Sequence, residues 1–167
     1  GDIIVSKEYI IPNNSYLIKS KIQVTNSGNV TLNIPLQVKI GPKLGEGFED
    51  SAYIFEGAII SNNKATEQVE YNEDTTEELS NPLYVGYTSK YFLFAAASKN
   101  FNKGIIKPEE NGEVSIGETS ITVNPDDRNV SEIDIFVGPK EYDRLKSLGL
   151  GLQSSIDFGW FYFLAIP

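Results

Sequence analysis

The sequence predicts an all-β protein, an antiparallel β-sandwich with short helices only near its C-terminal end. Apolar and polar residues alternate over many short stretches, and clusters of turn-forming residues separate these stretches at frequent intervals. The 167 residues suit a single domain that is long enough to bury a hydrophobic core. A composition with 40% hydrophobic and 22% charged residues is that of a globular protein.

The most regular alternation lies in the first quarter of the chain. Apolar residues occupy positions 16, 18, 22 and 24, whereas lysine and glutamine occupy positions 19, 21 and 23. The stretch 30–40 repeats the alternation at six even positions, and the turn residues 26–29 between the two stretches predict a long antiparallel hairpin. Pro35 occupies one of the polar positions of this alternation. A proline there favours an edge strand or a bulge, because proline donates no hydrogen bond to a sheet.

Further strands follow along the chain. The densely apolar block 84–97 has Lys90 as its one charged residue, which predicts a buried segment at the centre of the fold. Acidic residues accumulate between 67 and 78 without the spacing of a calcium-binding loop, so a solvated loop or sheet edge is predicted there. Shorter strands are predicted at 53–60, 114–116, 119–123 and 132–137, and turns at 41–47, 103–104, 108–112 and 124–127.

The composition excludes several classes of function. The chain has no cysteine and no histidine, which removes disulfides, thiolate metal sites and the commonest general base. The formal net charge of −9 disfavours nucleic acid as a partner. Glu132 and Asp134 remain as an acid/base pair on one strand face, but nothing in the sequence supplies them with a partner. We therefore predict no catalytic residue, no metal and no cofactor. The absence of methionine, including at position 1, favours a piece of a longer product.

A short amphipathic helix is predicted after the last strand. Pro139 stands where a helix begins, since the first helical position needs no backbone donor. Gly149 suits a left-handed stop at the end of that helix. Tyr142, Leu145, Leu148 and Leu152 form one apolar stripe. The first three of these residues would dock the helix on the sandwich.

The final segment, 156–167, is almost entirely apolar or aromatic. Trp160, Phe161, Tyr162 and Phe163 stand side by side. The segment is too short to cross a bilayer, which takes about 20 residues, but tryptophan and tyrosine prefer the headgroup level of a membrane. Two interpretations follow, an interfacial helix or an ordinary buried part of an aromatic core.

Two stretches of the sequence resemble a known family. FVGPKEYDRLKSLGLGL, followed by DFGWFYFLAIP, resembles the C-terminal end of the large periplasmic domain of the YidC-type membrane protein insertases. Tyr84-Val85-Gly86 and then Lys90-Tyr91-Phe92-Leu93 are similar to the Trp-x-Gly and Lys-Tyr-Phe-Leu block of that family, with Tyr84 where a tryptophan is common.

The resemblance implies a fold and a division of the chain. The expected fold is an antiparallel β-supersandwich of two twisted sheets with short C-terminal helices. Residues 1–137 would form the sandwich, 138–155 a helical segment packed on it, and 156–167 the start of a juxtamembrane amphipathic segment. The same resemblance implies that this last segment lies on the membrane through Trp160, Phe161 and Phe163.

The implied function is that of a non-enzymatic domain at the periplasmic face of the bacterial inner membrane. Such a domain would support the insertion and folding of membrane proteins. It would offer a surface to Sec translocon components or to nascent membrane proteins. Two alternatives stay open, a carbohydrate-binding β-sandwich module and a lectin-like or adhesin-type structural domain.

Overall fold

The computed structural model describes residues 3–42, 55–62 and 75–156. Within these ranges the chain forms ten strands, one α-helix and one single-turn 3₁₀ helix. The helix α1 spans Tyr142–Ser147, and the 3₁₀ helix spans Leu152–Ser155. The strands are β1 (Ile3–Ile10), β2 (Leu17–Asn26), β3 (Leu32–Ile40), β4 (Gly57–Ser61), β5 (Glu77–Ser80), β6 (Tyr84–Thr88), β7 (Phe92–Ala97), β8 (Lys103–Glu109), β9 (Gly112–Val123) and β10 (Asp127–Pro139).

The strands form two antiparallel sheets, which confirms the predicted all-β sandwich. The six-stranded sheet has the order β1-β2-β10-β7-β6-β4, and the four-stranded sheet has the order β3-β9-β8-β5. Every strand pair among the described residues is antiparallel. The hairpin of β6 and β7 lies inside the six-stranded sheet, as the apolar block 84–97 predicts.

The six-stranded sheet buries apolar side chains on both faces. Because side chains alternate along a strand, Val85 and Tyr87 of β6 face the four-stranded sheet, whereas Tyr84 belongs to a cluster on the opposite face. On β10, Ile133 faces the four-stranded sheet and Phe136 belongs to the cluster on the opposite face. The outer cluster includes Leu145 and Leu152, so the two helices form a third layer. This burial on both faces explains why the sequence of 84–97 lacks a polar side.

The predicted hairpin of the first two alternating stretches is wrong. β2 pairs with β1 and β10 in the six-stranded sheet, whereas β3 pairs with β9 in the other sheet. The chain therefore crosses from one sheet to the other between the two strands. Val24 of β2 packs with Ile121 and Val123 of β9, and Ile34 of β3 packs against the same cluster. The alternation identified the buried side of each strand correctly. The same pattern arises whether two successive strands pair in one sheet or, as here, face each other from two sheets.

Asn26 holds the corner where the chain crosses between the sheets. Its side-chain amide lies 2.8 Å from the carbonyl oxygen of Val30, 3.2 Å from that of Val123 and 3.1 Å from that of Asn124. Its side-chain oxygen accepts a hydrogen bond of 3.0 Å from the backbone N–H of Gly28. A buried amide with these partners fixes the path of the corner without leaving carbonyl groups unsatisfied.

The edge position predicted from Pro35 is confirmed. β3 is the outermost strand of the four-stranded sheet, and Pro35 pairs with Ser120 on its inner neighbour. β5, at the other edge of that sheet, carries Glu77 and Glu78 and agrees with the predicted solvated loop or edge. The rest of the acidic stretch, 67–74, lies outside the described residues. Positions 43–47 of the turn predicted at 41–47 and positions 53–54 of the strand predicted at 53–60 also lie outside the described residues.

Three predicted boundaries differ from the structure. The strands predicted at 114–116 and 119–123 are one strand, β9, and the turn predicted at 103–104 lies inside β8. Gly104 serves packing, since a Cβ atom there would lie 2.8 Å from Cγ2 of Ile60. β10 continues through Pro139, two residues beyond the predicted end of the sandwich, and α1 begins at Tyr142. The helix start predicted at Pro139 is therefore wrong, whereas the turn between β9 and β10 is confirmed.

Candidate functional site

The helical layer, residues 142–155, is the feature that joins the sandwich to the C-terminal segment. β10 leads into it, and the backbone N–H of Lys140 donates to the carbonyl oxygen of Tyr91 at 2.8 Å. The first helical bond runs from the N–H of Leu145 to the carbonyl oxygen of Glu141 at 2.9 Å. The layer therefore starts from a fixed point at the end of a central strand.

An apolar cluster fixes the layer to the sheet. Leu145 and Leu152 are fully buried in it, and Leu148 is half-buried against its margin. Tyr142, the third residue predicted to dock the helix, is also half-buried, and its ring lies under the ammonium group of Lys146 at 5.5 Å. On the sheet side the cluster contains Ile59, Tyr84, Leu93, Ala95, Ala97 and Phe136.

Two glycines let the chain turn back between the helices. Gly149 has φ of +68° and Gly151 has φ of +75°, in the left-handed region that glycine adopts without strain. The left-handed stop predicted at Gly149 is therefore confirmed. Gly151 also lies close to the sheet, because a Cβ atom there would come within 2.8 Å of Cδ1 of Leu83.

A partly buried polar contact that the sequence does not reveal holds the 3₁₀ helix against the sheet. The hydroxyl of Ser154 donates to the carbonyl oxygen of Gly151 at 2.9 Å. Since that bond uses the only hydroxyl proton of Ser154, the hydroxyl of Tyr84 donates to Ser154 at 2.9 Å. Ser61 lies 3.3 Å from the same oxygen. Tyr84 thus contributes its ring to the apolar cluster and its hydroxyl to the helix above it.

The titration of Tyr84 gives a testable pH dependence. Burial raises the pKa of Tyr84 above its ordinary value of 10.0, although the nearby hydroxyls of Ser154 and Ser61 act in the opposite direction, because they can donate to the ionised phenol oxygen. A raised folded pKa gives stability that is fully present below the unfolded pKa and is lost as the pH rises through the folded pKa. We expect the free energy of unfolding by urea to fall above pH 10, and to fall less steeply in a Tyr84→Phe variant. Equal slopes in both proteins would contradict this assignment.

Two clefts lie beside these elements. One, of about 260 Å³, opens between the two sheets and is lined by Tyr9, Ile22, Val38, Phe94 and Ile133 among others. Its walls combine aliphatic side chains with two aromatic rings, Tyr9 and Phe94, and with polar groups such as Lys7 and Gln37. The other, of about 480 Å³, lies beside the turn of the helical layer and includes Leu83, Lys99, Glu132, Asp134 and Gly151.

Each of the two acidic residues of the second cleft, Glu132 and Asp134, pairs in register with a lysine of β2. Glu132 is well exposed and makes a surface ion pair with Lys21 at 3.3 Å. Asp134 stands opposite Lys19 on the neighbouring strand. In the described part of the chain, no group of three or more acidic side chains is placed to hold a metal ion.

The structure does not describe the predicted membrane segment. Trp160, Phe161 and Phe163 lie outside the described residues, so their place at a membrane interface stays a prediction. Ile156, the last described residue, packs against the outer apolar cluster. Neither described helix has the length and apolar character needed to cross a bilayer.

Comparison with known proteins identifies the family. The whole chain, residues 1–167, matches the family model of the YidC periplasmic domain. A relative from Geobacter sulfurreducens named membrane protein insertase YidC is 30% identical over 99% of this chain and is covered to 32% of its own length. A relative of the same name from Pelobacter propionicus is 30% identical over 98% of this chain and is covered to 31%.

A solved structure shares the fold. The Slr1438 protein from Synechocystis superposes with a TM-score of 0.51 at 8% sequence identity, covering 80% of this chain and 54% of that one. This likeness concerns the architecture alone. The curated relatives are about three times as long as the part that this chain matches. The family match over the full length confirms the resemblance seen in the two motifs, and the chain belongs to the family of YidC periplasmic domains.

Proposed function

We propose that this chain is the periplasmic domain of a longer membrane protein insertase, and that it supports insertion and folding without catalysing a reaction. The observation that carries the proposal is the family match over residues 1–167, together with relatives named membrane protein insertase. The location that follows is the periplasmic face of the bacterial inner membrane. The chain would act there through its surfaces, since Glu132 of the second cleft is engaged in an ion pair with Lys21 and Asp134 stands opposite Lys19.

The helical layer supports a role in connecting the domain to the membrane. It is fastened to the central sheet by Leu145, Leu152 and the Tyr84–Ser154 hydrogen bond. The segment that follows, 156–167, would lie on the membrane surface through Trp160, Phe161 and Phe163. In this arrangement the sandwich holds the start of the membrane segment in a fixed position, and loosening the layer would misplace that segment.

The exposed edge of the six-stranded sheet supports a role in binding other chains. β1 is the outermost strand, and all eight of its residues are exposed, including Ile3, Ile4 and Val5. An exposed apolar edge accepts an extended polypeptide as an additional strand. Nascent membrane proteins and Sec translocon components are the partners that we propose for this surface of the chain.

A chimeric insertase tests the proposed function. The corresponding domain of the Geobacter sulfurreducens relative would be replaced either by residues 1–167 of this chain or by residues 1–144. We expect the first chimera to insert a membrane-protein substrate and the second to lose most of that activity, because it lacks residues 145–155 of the helical layer and the segment 156–167 that follows. Insertion is read by protease protection of the substrate in membrane vesicles, with equal amounts of both chimeras confirmed by immunoblotting. Equal insertion by the two chimeras would contradict the role given to this layer.

A further inference from the structure

The four-stranded sheet leaves part of the inner face of the six-stranded sheet uncovered. The cleft of about 260 Å³ between the two sheets lies beside β3, the outermost strand of the smaller sheet. Side chains of β1, β2, β10 and β7 line the cleft from the larger sheet. Tyr9, Ser20 and Ile133 stand side by side on adjacent strands, since Tyr9 pairs with Ser20 and Ser20 pairs with Ile133. The floor of the cleft is therefore one continuous face of a sheet.

The spacing of the lining residues shows which part of each strand the cleft contacts. Each strand of the larger sheet contributes two residues that lie two positions apart, which is expected where a cleft meets one face of a strand. These residues are Lys7 and Tyr9, Ser20 and Ile22, Phe94 and Ala96, and Ile133 and Ile135. β3 instead contributes the four consecutive residues 37–40. Because neighbouring side chains of a strand point to opposite faces, a cleft that contacts four residues in a row meets β3 along its edge.

This geometry is that of an unfilled strand position in the four-stranded sheet. The edge that borders the cleft is the free edge of β3, since β9 pairs with the other edge and no described residue of β9 lines the cleft. A strand added there would pair with β3 and would direct every second side chain to the floor. Ile22, Phe94 and Ile135 are half-buried on that floor, so inward-facing apolar residues would cover them. Pro35 donates no hydrogen bond, which confines the position to the C-terminal half of β3.

The charge of the cleft favours an acidic occupant. Although the chain has a net charge of −9, the charged residues among those that line the cleft are Lys7 and Lys39. Lys39 makes an ion pair with Glu109, whereas no carboxylate of the described residues lies within ion-pair distance of Lys7. The ammonium group of Lys7 lies 5.0 Å from the ring centre of Tyr9, and both side chains are exposed. A carboxylate of the occupant would therefore meet a lysine that has no acidic partner.

We propose that this cleft binds an extended segment of another polypeptide, which becomes a fifth strand of the four-stranded sheet beside β3. The segment has apolar residues at alternate positions, which face the floor, and an acidic residue that reaches Lys7. The site is separate from the exposed edge of β1, because β1 belongs to the other sheet. The inference adds a binding site to the proposed function and does not depend on it.

Amide hydrogen exchange of the full chain tests the position of the added strand. The probe is a synthetic peptide in which valine and threonine alternate around one central glutamate, used at a concentration where it is monomeric. We expect exchange of the outward-facing N–H groups among residues 37–40 to slow when the peptide is added, because its backbone would pair with them. No slowing at 37–40 would overturn the proposal. Slowing confined to residues 3–10 would overturn it as well, and would place the peptide on the edge of β1 that the proposed function uses.

A charge exchange tests the assignment of the acidic residue. Lys7→Glu should weaken binding of the peptide about fivefold, the upper limit for one exposed ion pair, and a peptide with lysine in place of glutamate should recover this loss. Lys19→Glu is the matched control, because Lys19 is exposed and precedes Ser20 on β2, so that it lies on the opposite face of the sheet. The control changes the net charge equally and should leave the affinity unchanged.

Fluorescence anisotropy of the labelled peptide gives the affinities, and circular dichroism establishes that both variants are folded. Equal weakening by Lys7→Glu and Lys19→Glu would show attraction by net charge alone and would overturn the proposal. A chimera that inserts normally while the peptide leaves residues 37–40 unprotected would refute the strand position and keep the proposed function.

Discussion

Replacing Leu145 by alanine is expected to lower the free energy of unfolding by about 2–5 kcal/mol. Leu145 is completely buried between the helical layer and the outer face of the six-stranded sheet. The shorter side chain leaves a cavity, because the cluster around it also holds the well-buried Phe136 and Leu152 and cannot easily collapse. Equilibrium unfolding in urea, followed by circular dichroism, gives the difference from the unchanged chain.

Leu148→Ala is the matched control for this change. Leu148 follows α1 directly and is half-buried at the margin of the same cluster. The same substitution should therefore cost about 1 kcal/mol. If both variants unfold at the same urea concentration as the unchanged chain, Leu145 does not pack as described and the helical layer is not part of the cooperative unit.

Replacing Gly86 by valine should cost about 3 kcal/mol, at the upper end of the range for overpacked sites. A Cβ atom at Gly86 would lie 2.6 Å from the carbonyl oxygen of Phe94 and 3.1 Å from Cβ of Ala95. The carbonyl belongs to the paired strand β7, so relief requires the backbone of two central strands to separate. The carbonyl oxygen of Gly86 itself accepts a hydrogen bond of 2.7 Å from Ser115 in the other sheet, which resists such a shift.

Gly149→Asn separates this steric effect from the loss of glycine as such. An added Cβ atom at Gly149 meets nothing within 4 Å, and asparagine tolerates the left-handed conformation. We expect this variant to unfold within about 1 kcal/mol of the unchanged chain. A Gly86→Val protein as stable as the Gly149→Asn protein would show that β6 and β7 are not packed this closely.

Alternation along the strands was sufficient to predict the fold class but not the strand partners. Positions 30–40 form a strand, and Pro35 lies on an edge as expected. Its partner could not be predicted, because alternation records which side of a strand is buried and not which strand lies beside it. The decisive contact is the hydrogen bonding of Asn26 to a turn about a hundred positions later in the chain, which no local pattern contains.

Glycines caused two of the three errors in strand boundaries. Gly104 predicted a turn, but it lies within β8, where Ile60 of the other sheet approaches it closely. Gly117 interrupts the apolar pattern of β9 because the ring of Phe101 lies 2.7 Å from the place of its Cβ atom. In both cases the missing side chain makes room for a neighbour from another part of the chain. Turn propensity and close packing select the same residue, so the sequence alone did not separate them.

The candidate site was predicted in part. The spacing of Tyr142, Leu145 and Leu148 was enough to propose a docked helix, since a stripe at helical spacing needs an apolar surface to cover. Leu152, assigned to the same stripe, lies instead in the separate 3₁₀ helix. The hydrogen bond between Tyr84 and Ser154 could not be anticipated, because it joins positions far apart in sequence.

The most direct test of the central claim is membrane-protein insertion by the chimera that carries residues 1–167 with Leu145→Asp. The buried carboxylate should detach the helical layer while leaving residues 156–167 in the chain. Limited proteolysis at Arg144 and Lys146 checks that the layer has become accessible. We expect insertion to fall to the level of the chimera that ends at residue 144. Normal insertion by a chimera whose layer is cleaved readily would contradict the claim that the sandwich acts by holding this layer in place.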